Sequence, residues 1–287
     1  MHKIVFKATV TANQAACDFL SVKTGLPKAR VKNAMNKGAV LLKMKNNRMK
    51  RLRRASTALK PGDQIEFYYD EKTLALRPPE AKCLNNQKHY SVWFKPSGLL
   101  AQGTQYGDHC SLMRQAELYF QSSREIFLVH RLDREASGIM LLAHSKDAAA
   151  KLSALFQKNL VSKRYRVEAL GNLGEKYSHS TIDLPLDGKP SLTEFKVMSY
   201  NPETNTSIAD VGIRTGRLHQ IRRHFDMIGF PVIGDPKYGT ANKNTEGLRL
   251  SAVSLKFICP FLKQEVEYKI APEKQTQPIA KPSECHN

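Results

Sequence analysis

The chain has 287 residues, 41% of them hydrophobic and 25% charged, which is the composition of a folded globular protein rather than a disordered one. Its 45 Lys and Arg against 26 Asp and Glu give a formal net charge of +19, which favours a polyanionic partner such as nucleic acid. The five Cys are far apart, with no C-x-x-C pair, and no apolar run matches a membrane span or a signal-peptide core, so we expect a cytoplasmic protein without disulfides, metal or membrane contact.

The excess positive charge is concentrated near the N-terminus. Residues 1–75 hold 16 Lys and Arg against 5 Asp and Glu, whereas the remaining residues hold 29 against 21. So much like charge in a small region repels itself unless an anion neutralises it. This region is therefore predicted to contact phosphate groups, with a solvated basic surface as the alternative.

The N-terminal elements are predicted from apolar spacing and turn residues. "QAACDFLSVKTGLPKARVKNAMNKGAV" predicts two short helices around a turn at Gly25 and Pro27, with Gly38 as a stop. "VLLKMKNNRMKRLRRAS" predicts a hairpin with "NNR" at its tip, and "LKPGDQIEFYY" a turn followed by a strand. Residues 14–70 resemble the alpha-L RNA-binding domain of ribosomal small-subunit protein four. The resemblance implies a small α+β RNA-binding domain over residues 1–72, and we assign RNA contact to Lys28, Arg30, Lys32, Arg51, Arg53 and Arg54.

A larger domain is predicted over residues 90–272, between a polar linker at 73–89 and a disordered tail at 273–287. Its strand candidates are "YSVWFK", "FLVHRL", "GIMLLAH", "KRYRVEAL", "TEFKVMSY", "TSIADVGI", "VSLKFI" and "VEYKI". Its helix candidates are "SLMRQAELYFQ", "KDAAAKLSALFQKN" and "LHQIRRHFDMIG". Many strands, few helices and no regular alternation predict an α+β fold with a mixed, mostly antiparallel sheet.

One charged stretch lies between two apolar runs of this domain. "HRLDREASG", residues 130–138, follows "IFLV" and precedes "IMLLAHS", and charges between core-forming segments are costly if buried without partners. The stretches "KPSG", "KRYRV", "TGRLHQIR" and "DPKYG" accompany it. Each alone has an ordinary explanation, such as a turn, an amphipathic strand or a basic surface helix.

Together, in this order, these motifs resemble the RluA family of RNA pseudouridine synthases over about residues 90–270. The combination of "HRLD…SG" with "GR.HQIR" carries most of the resemblance. It implies the pseudouridine synthase fold and an isomerase that detaches uracil from its ribose, turns it and rejoins it through carbon 5, without cofactor or metal. The implied partner is RNA, with large-subunit ribosomal RNA favoured over transfer RNA, and we expect a monomer.

The resemblance also implies roles for individual residues. Asp133 is the essential carboxylate, which either attacks the sugar or removes the proton at carbon 2′, and Arg222 keeps it ionised through a paired hydrogen bond. Arg131 fills the gap left by the flipped base, and Tyr165 stacks on the base or transfers a proton. Leu250 is an apolar pocket wall. The further substrate-binding candidates are His130, Gly216, Arg217, His219 and Gln220.

Two departures and three alternatives accompany this interpretation. Ala136 stands where the family usually has Thr, and Ser251 where it usually has His. A catalytic triad of Ser137, His130 and Asp133 is disfavoured because such groups normally come from separated segments. A nuclease would need clustered carboxylates for two metals. A non-catalytic RNA-binding or ribosome-assembly factor would need only the basic surface, whereas Asp133, Tyr165 and Arg222 together favour the enzyme.

Overall fold

The computed structural model describes residues 3–43 and 48–270. It divides into two compact units, one formed by Met1–Pro78 with Gln102–Ala116 and the other by Pro79–Ala101 with Glu117–Asn287. None of the helices in the described residues is long and apolar enough to span a membrane. The first unit thus extends beyond the predicted end at residue 72 and takes in a later segment, 102–116.

The elements of the first unit up to residue 78 are β1 (Lys3–Thr9), β2 (Gln14–Ala15), α1 (Ala16–Thr24), α2 (Lys28–Asn36), β3 (Val40–Lys43), β4 (Met49–Arg51), β5 (Ala58–Leu59), β6 (Gln64–Asp70) and α3 (Glu71–Ala75). Four of the strands form an antiparallel sheet in the order β1-β6-β3-β4, together with two packed helices, α1 and α2.

Both predicted N-terminal helices are present, and they meet at the predicted turn. Gly25 ends α1 with φ 72°, a left-handed conformation that glycine adopts without the steric cost of a Cβ. The inward faces of the helices supply Phe19, Leu20 and Val31 to a core completed by Phe67 of β6. The predicted hairpin is β3 paired with β4, but residues 44–47, which include most of its tip, lie outside the described residues.

Residues 73–89 were predicted to be a linker, and the structure corrects this prediction. It contains the end of α3, a helix whose start the Asp70 side chain caps by accepting a hydrogen bond from the Thr73 N–H. It also contains β7 (Lys82–Asn86), an edge strand of the large sheet. The polar composition that suggested a linker reflects this edge position, because such a strand alternates exposed and half-buried residues. The predicted tail at 273–287 lies outside the described residues.

The remaining elements, in chain order, are β7 (Lys82–Asn86), β8 (Tyr90–Lys95), α4 (Leu112–Tyr119), β9 (Phe127–Leu128), β10 (Ser137–Ala143), α5 (Lys146–Gln157), β11 (Ser162–Leu170), α6 (Leu173–Lys176), β12 (His179–Asp183), β13 (Leu192–Asn201), β14 (Thr206–Ile213), α7 (Gln220–Met227), β15 (Leu250–Ile258) and β16 (Glu265–Lys269). Every strand candidate of the larger domain has a counterpart here, although "FLVHRL" contributes only the two residues of β9.

A ten-stranded sheet organises the second unit. Its order is β12-β13-β14-β11-β15-β10-β8-β7, with β9 added to β10 and β16 added to β15. Among the described strands, β10 and β15 form the parallel pair and the other pairings are antiparallel. The predicted α+β class with a mixed, mostly antiparallel sheet is therefore confirmed.

The parallel pairing of β10 and β15 depends on Gly138. This residue has φ 126°, and a Cβ on it would come within 2.7 Å of the Ala252 Cα. Only a glycine permits so close an approach of the two backbones. The "SG" of "HRLDREASG" thus brings the start of β10, and the irregular segment 129–136 before it, beside Leu250 of β15.

Helix α7 is anchored to the sheet through its apolar face. Ile221 and Phe225 pack with Phe195 of β13 and Val211 of β14 in one core cluster. Phe225 is fully buried, and removing such a ring costs about 3–5 kcal/mol. The packing fixes the orientation of the helix, and with it the direction of the neighbouring side chain, Arg222.

Candidate active site

A pocket of about 320 Å³ opens where segment 131–136, β11, the end of β14, the start of α7 and β15 converge in the second unit. Its size suits a small organic group such as a nucleobase. Nine of the ten predicted catalytic and substrate-binding residues line it; His130 does not. The lining residues are Arg131, Leu132, Asp133, Ala136, Tyr165, Ile213, Gly216, Arg217, Leu218, His219, Gln220, Ile221, Arg222 and Leu250.

Arg222 lies at the base of this pocket and is fully buried. Its Nε donates to Asp235 Oδ2 at 2.7 Å and its Nη2 to Asp235 Oδ1 at 2.8 Å, a two-pronged contact with a carboxylate that is also fully buried. Its Nη1 donates to Asp133 Oδ2 at 3.1 Å and lies 3.6 Å from Glu135 Oε2. The paired contact expected for Asp133 is therefore made with Asp235, and Asp133 receives a single hydrogen bond.

Asp235 had no role in the sequence prediction, although its motif "DPKYG" was recognised. Burial would raise the pKa of its carboxyl, but hydrogen bonds from Arg222 and from the backbone N–H groups of Lys237 and Tyr238 outweigh this, so the pKa is lowered. Likewise, burial would lower the pKa of Arg222, but Asp235 and Asp133 raise it. The pair therefore stays charged inside the protein, with Arg222 held in one orientation.

Asp133 presents its carboxylate at the pocket wall with a quarter of its side chain exposed. Oδ2 accepts from Arg222, while Oδ1 lies 3.8 Å from His219 Nε2. The carboxylate is thus oriented on one side and open to a ligand on the other. Such a group can act as a nucleophile or as a base toward a molecule in the pocket.

Tyr165 forms the wall contributed by β11. It is buried beside the pocket, and burial together with the charge of Asp133 raises the pKa of its hydroxyl. The phenol is therefore protonated at neutral pH and can donate a hydrogen bond, while its ring offers an aromatic surface. Leu250, on the neighbouring strand β15, supplies the apolar wall as predicted.

The segment 214–219 forms a strained rim before α7. His219 has φ 52°, a left-handed conformation uncommon outside glycine, and its Nδ1 lies 3.0 Å from the Tyr238 hydroxyl. Burial and the nearby Arg222 lower the pKa of His219, although Asp133 opposes them. A neutral imidazole thus lies beside Asp133, where it can exchange hydrogen bonds with a ligand.

Gln220 is a correction in role, since all the polar atoms of its side chain are engaged inside the protein. Its Oε1 accepts from the Thr215 hydroxyl at 2.7 Å and from the Arg217 N–H at 3.1 Å. Its Nε2 donates to the Leu192 carbonyl and the Thr193 hydroxyl. The amide therefore ties the 215–217 segment to the start of β13, and the side chain shapes the pocket without offering a group to the substrate.

His130 lies behind the pocket, contrary to its prediction as a substrate-binding residue. Its Nε2 accepts a hydrogen bond from the Leu141 N–H at 3.0 Å, and its ring stacks on Phe156 with centroids 4.3 Å apart. Burial and the nearby Lys163 lower the pKa of His130 to about 3, so the ring is neutral. It ties segment 129–136 to β10 and cannot reach a ligand.

The "KPSG" turn supports segment 129–136 from its other side. The buried Lys95 Nζ donates to the carbonyls of Leu99 at 2.8 Å and Ala136 at 2.6 Å, with the Arg134 carbonyl at 3.3 Å. Burial lowers the pKa of Lys95 to about 7. The Ser97 hydroxyl donates to the Glu135 carbonyl at 2.5 Å. The backbone on the C-terminal side of Asp133 is thus held by a buried amino group and a hydroxyl, a function that the turn motif alone did not indicate.

The two departures from the family pattern both lie near the pocket. Ala136 lines it, and Ser251, next to Leu250, is buried with a hydroxyl oxygen that has no hydrogen-bond partner among the described residues.

Arg131 is exposed at the rim. Arg217 is half-buried and donates to the Pro190 carbonyl at 3.2 Å.

The predicted RNA-contacting residues of the first unit fall into two groups. Lys28, Arg30, Lys32 and Arg54 are exposed, with Lys28 paired to Asp18 and Arg30 to Glu71. Arg51 and Arg53 are half-buried and share Asp108, at 2.9 Å and 2.5 Å.

The role of Arg51 and Arg53 as phosphate contacts stays a prediction, because each side chain has partners within the protein. Both guanidinium groups also donate to backbone carbonyls, those of Gly38, Thr104 and Asn36. Because the Asp108 carboxylate is buried, turning both guanidinium groups to RNA would leave it uncompensated.

The side chains that commonly bind metal ions are dispersed in this structure. Over residues 3–43 and 48–270, no three His, Cys, Asp or Glu side chains come close enough to hold an ion.

The amino-acid sequence is similar to those of known enzymes. The family model described as RNA pseudouridylate synthase matches residues 89–227, which include Asp133, Tyr165 and Arg222. The dual-specificity RNA pseudouridine synthase RluA of Vibrio parahaemolyticus is 36% identical over 188 residues, covering 58% of this chain and 73% of its own. The ribosomal large subunit pseudouridine synthase C of Vibrio cholerae is 27% identical over 271 residues, covering 84% of each chain.

A solved structure supports the fold as well. Human RNA pseudouridylate synthase domain containing 1 superposes with a TM-score of 0.58 at 22% identity, covering 68% of this chain and 86% of its own. The similarity to the Vibrio parahaemolyticus enzyme, together with the matching fold, establishes the family. The chain belongs to the RNA pseudouridine synthase family and is an isomerase that acts on RNA.

Proposed function

We propose that this enzyme converts specific uridines of large-subunit ribosomal RNA to pseudouridine, with Asp133 as the reacting group. The observation that carries the proposal is the Asp133 carboxylate, oriented by the buried Arg222 and open to the pocket. The similarity to the ribosomal large subunit pseudouridine synthase C of Vibrio cholerae, which extends over 84% of this chain, favours large-subunit ribosomal RNA. The net charge of +19 suits a substrate of that size and charge.

The reaction exchanges one carbon–nitrogen bond for a carbon–carbon bond. The bond between uracil N1 and ribose C1′ breaks, the base turns, and C5 bonds to C1′; C5 then loses its proton and N1 gains one. Asp133 serves either by bonding transiently to C1′ or by taking the C2′ proton and later returning it. Both routes need a carboxylate held in a fixed position, which the hydrogen bond from Arg222 provides.

The other pocket residues handle the base. A uridine in folded RNA must leave its stack to reach the pocket, and Arg131 at the rim is positioned to fill the gap. Tyr165 and Leu250 enclose the flipped ring, and the protonated Tyr165 hydroxyl can donate to it or relay a proton. The exposed cations of the first unit, Lys28 among them, would hold the surrounding RNA through its phosphates. We expect a monomer working in the cytoplasm.

The test is Asp133→Asn, which keeps the shape of the side chain and removes its charge. Turnover, measured as tritium release from RNA labelled at carbon 5 of uridine, should fall by about 10²- to 10⁴-fold. RNA affinity by filter binding should stay nearly unchanged. The matched control is Asp147→Asn on the exposed side of α5, where the carboxylate pairs with Lys151. Substantial turnover in Asp133→Asn would remove Asp133 from the reaction.

A further inference from the structure

A second and larger groove adjoins the active-site pocket. It has a volume of about 510 Å³ and lies where the 159–161 segment, the start of β11, and the ends of β14 and β15 meet. Ile213 lines both the groove and the pocket, and Lys163 of the groove precedes Tyr165 of the pocket by two residues on β11. A polymer with one unit in the pocket would therefore find the groove beside its next units.

The groove is lined by more basic than acidic side chains. Lys163, Arg164, Arg214 and Lys256 face it, against Glu194 and Glu265. Arg214 lies 3.3 Å from Glu194, and Lys256 lies 2.9 Å from Glu265, in pairs whose side chains are largely exposed. Exposed pairs of this kind contribute little to stability, so their cations remain available to a stronger anion.

Lys163 differs from the other three cations. It is half-buried, and in the described part of the chain no carboxylate or hydrogen-bond acceptor pairs with its ammonium. Burial lowers the pKa of Lys163, which means that keeping it charged there costs free energy. An anion in the groove would offset that cost.

The rims of the groove are apolar. Leu160 on one side is 58% exposed and Ile258 on the other is 66% exposed. Apolar surface beside cations suits a strand with unstacked bases, because the phosphates meet the charges while the bases cover the aliphatic groups. A duplex, whose bases are already stacked, would gain nothing from these side chains.

We propose that the groove binds the single-stranded RNA segment next to the target uridine, with Lys163 and Arg214 each contacting a phosphate. The proposal takes its substrate, RNA, from the proposed function. It adds a site outside the pocket through which the nucleotides flanking the target contribute to selection.

The test uses the full-length protein and a fluorescently labelled oligouridylate of about ten nucleotides, the length that a short single-strand site accommodates. Affinity is measured by fluorescence anisotropy over a range of salt concentrations. Lys163→Met and Arg214→Gln should each reduce the slope of log affinity against log salt by about 0.7, the value for one phosphate of a single strand. Lys163→Arg should keep the wild-type slope. The control, Lys146→Gln, removes an exposed charge from the first residue of α5, outside the groove.

Thermal unfolding separates binding from folding. Because Lys163 is an unpaired, half-buried cation, Lys163→Met should leave the melting temperature unchanged or raise it. The proposal would be overturned if Lys163→Met and Arg214→Gln kept the wild-type salt slope, or if Lys146→Gln reduced that slope by the same amount. Tritium release by the wild-type enzyme tests the proposed function separately. If the wild-type enzyme turns over but Lys163→Met has the wild-type salt slope, the groove proposal is rejected and the proposed function stands. If Lys163→Met lowers the salt slope but the wild-type enzyme shows no turnover, the groove proposal stands and the proposed reaction is rejected.

Discussion

At the scale of single residues, the guanidinium of Arg222 connects two carboxylates with different surroundings. Asp235 is fully buried and takes two of the hydrogen bonds, whereas Asp133 is partly exposed and takes one. Asp235 therefore fixes the plane of the guanidinium, and the third nitrogen then fixes Asp133. A substitution at either end of this series of hydrogen bonds should act on the reaction through the position of Asp133.

Arg222→Lys should reduce single-turnover isomerisation by at least about a hundredfold, because an ammonium cannot bond both oxygens of Asp235 and also reach Asp133, and a misplacement of about 1 Å has that effect. RNA affinity by filter binding should change far less. The adjacent Arg223→Lys is the control, since Arg223 makes its two-pronged contact with the exposed Asp187. Equal losses of rate and affinity in Arg222→Lys would mean that Arg222 only binds RNA.

Asp235→Asn should destabilise the fold by about 3–5 kcal/mol and also lower turnover, because it leaves the charge of Arg222 buried with only part of its compensation. Asp187→Asn, which breaks the exposed pair with Arg223, the residue next to Arg222 on α7, should cost far less. Urea unfolding measures both differences. A similar small cost for the two variants would contradict the importance of the buried pair.

The pH dependence of this difference follows from the lowered pKa of Asp235. Its stabilising contribution is fully present above the pKa of the unfolded chain, about 3.9, and is lost as the pH falls through the folded value. The gap in unfolding free energy between wild type and Asp235→Asn should therefore be constant near neutral pH and shrink below about pH 4. A gap that closes already between about pH 7 and 5 would point to a histidine instead.

At the scale of elements, the irregular segment 129–136 owes its shape to side chains outside the pocket. His130 ties it to β10, while Lys95 and Ser97 hold its carbonyl groups from the turn after β8. A segment without helix or strand hydrogen bonds needs such partners for its buried backbone groups. These hydrogen bonds explain why charged residues can lie between two core-forming runs.

His130 should make the enzyme less stable in mild acid. Its pKa is about 3 in the folded protein and about 6.5 in the unfolded chain, so between these values only the unfolded chain takes up the proton. Its contribution to stability is present above about pH 6.5 and is lost at up to about 1.4 kcal/mol per pH unit below it. In His130→Gln, which retains an acceptor for the Leu141 N–H, unfolding free energy should fall less steeply over this range. Urea unfolding at a series of pH values measures this. The same pH dependence of the unfolding free energy in both proteins would contradict the prediction.

At the scale of the whole molecule, positive charge serves two purposes in the first unit. Lys28, Lys32 and Arg54 are exposed, whereas Arg53 shares the buried Asp108 with Arg51. Charge near the surface acts on RNA through its phosphates, while charge with buried partners acts on folding.

Replacing Lys28, Lys32 and Arg54 together by Gln should reduce the salt slope for a ribosomal RNA transcript by about 0.9 for each phosphate that the variant no longer binds, with little change in melting temperature. Arg53→Gln should do the reverse, lowering the melting temperature because Asp108 is left with one guanidinium fewer while the slope stays near wild type. Filter binding and thermal unfolding measure the two effects. If the salt slope fell in Arg53→Gln and stayed at the wild-type value in the triple variant, Arg53 would contact RNA and the three exposed residues would not.

The sequence alone determined the family, the fold class and the composition of the pocket. Asp133, Tyr165 and Arg222 stand in motifs whose order along the chain is specific, and apolar periodicity located most helices and strands because it reflects which faces must be buried. Only the tertiary structure decided how these residues are connected. In the folded chain, the paired contact of Arg222 is with Asp235, and His130 lies outside the pocket lining. Arg51 and Arg53 both pair with the buried Asp108. Such pairings join residues far apart in the chain, and motif spacing does not specify which charges meet after folding.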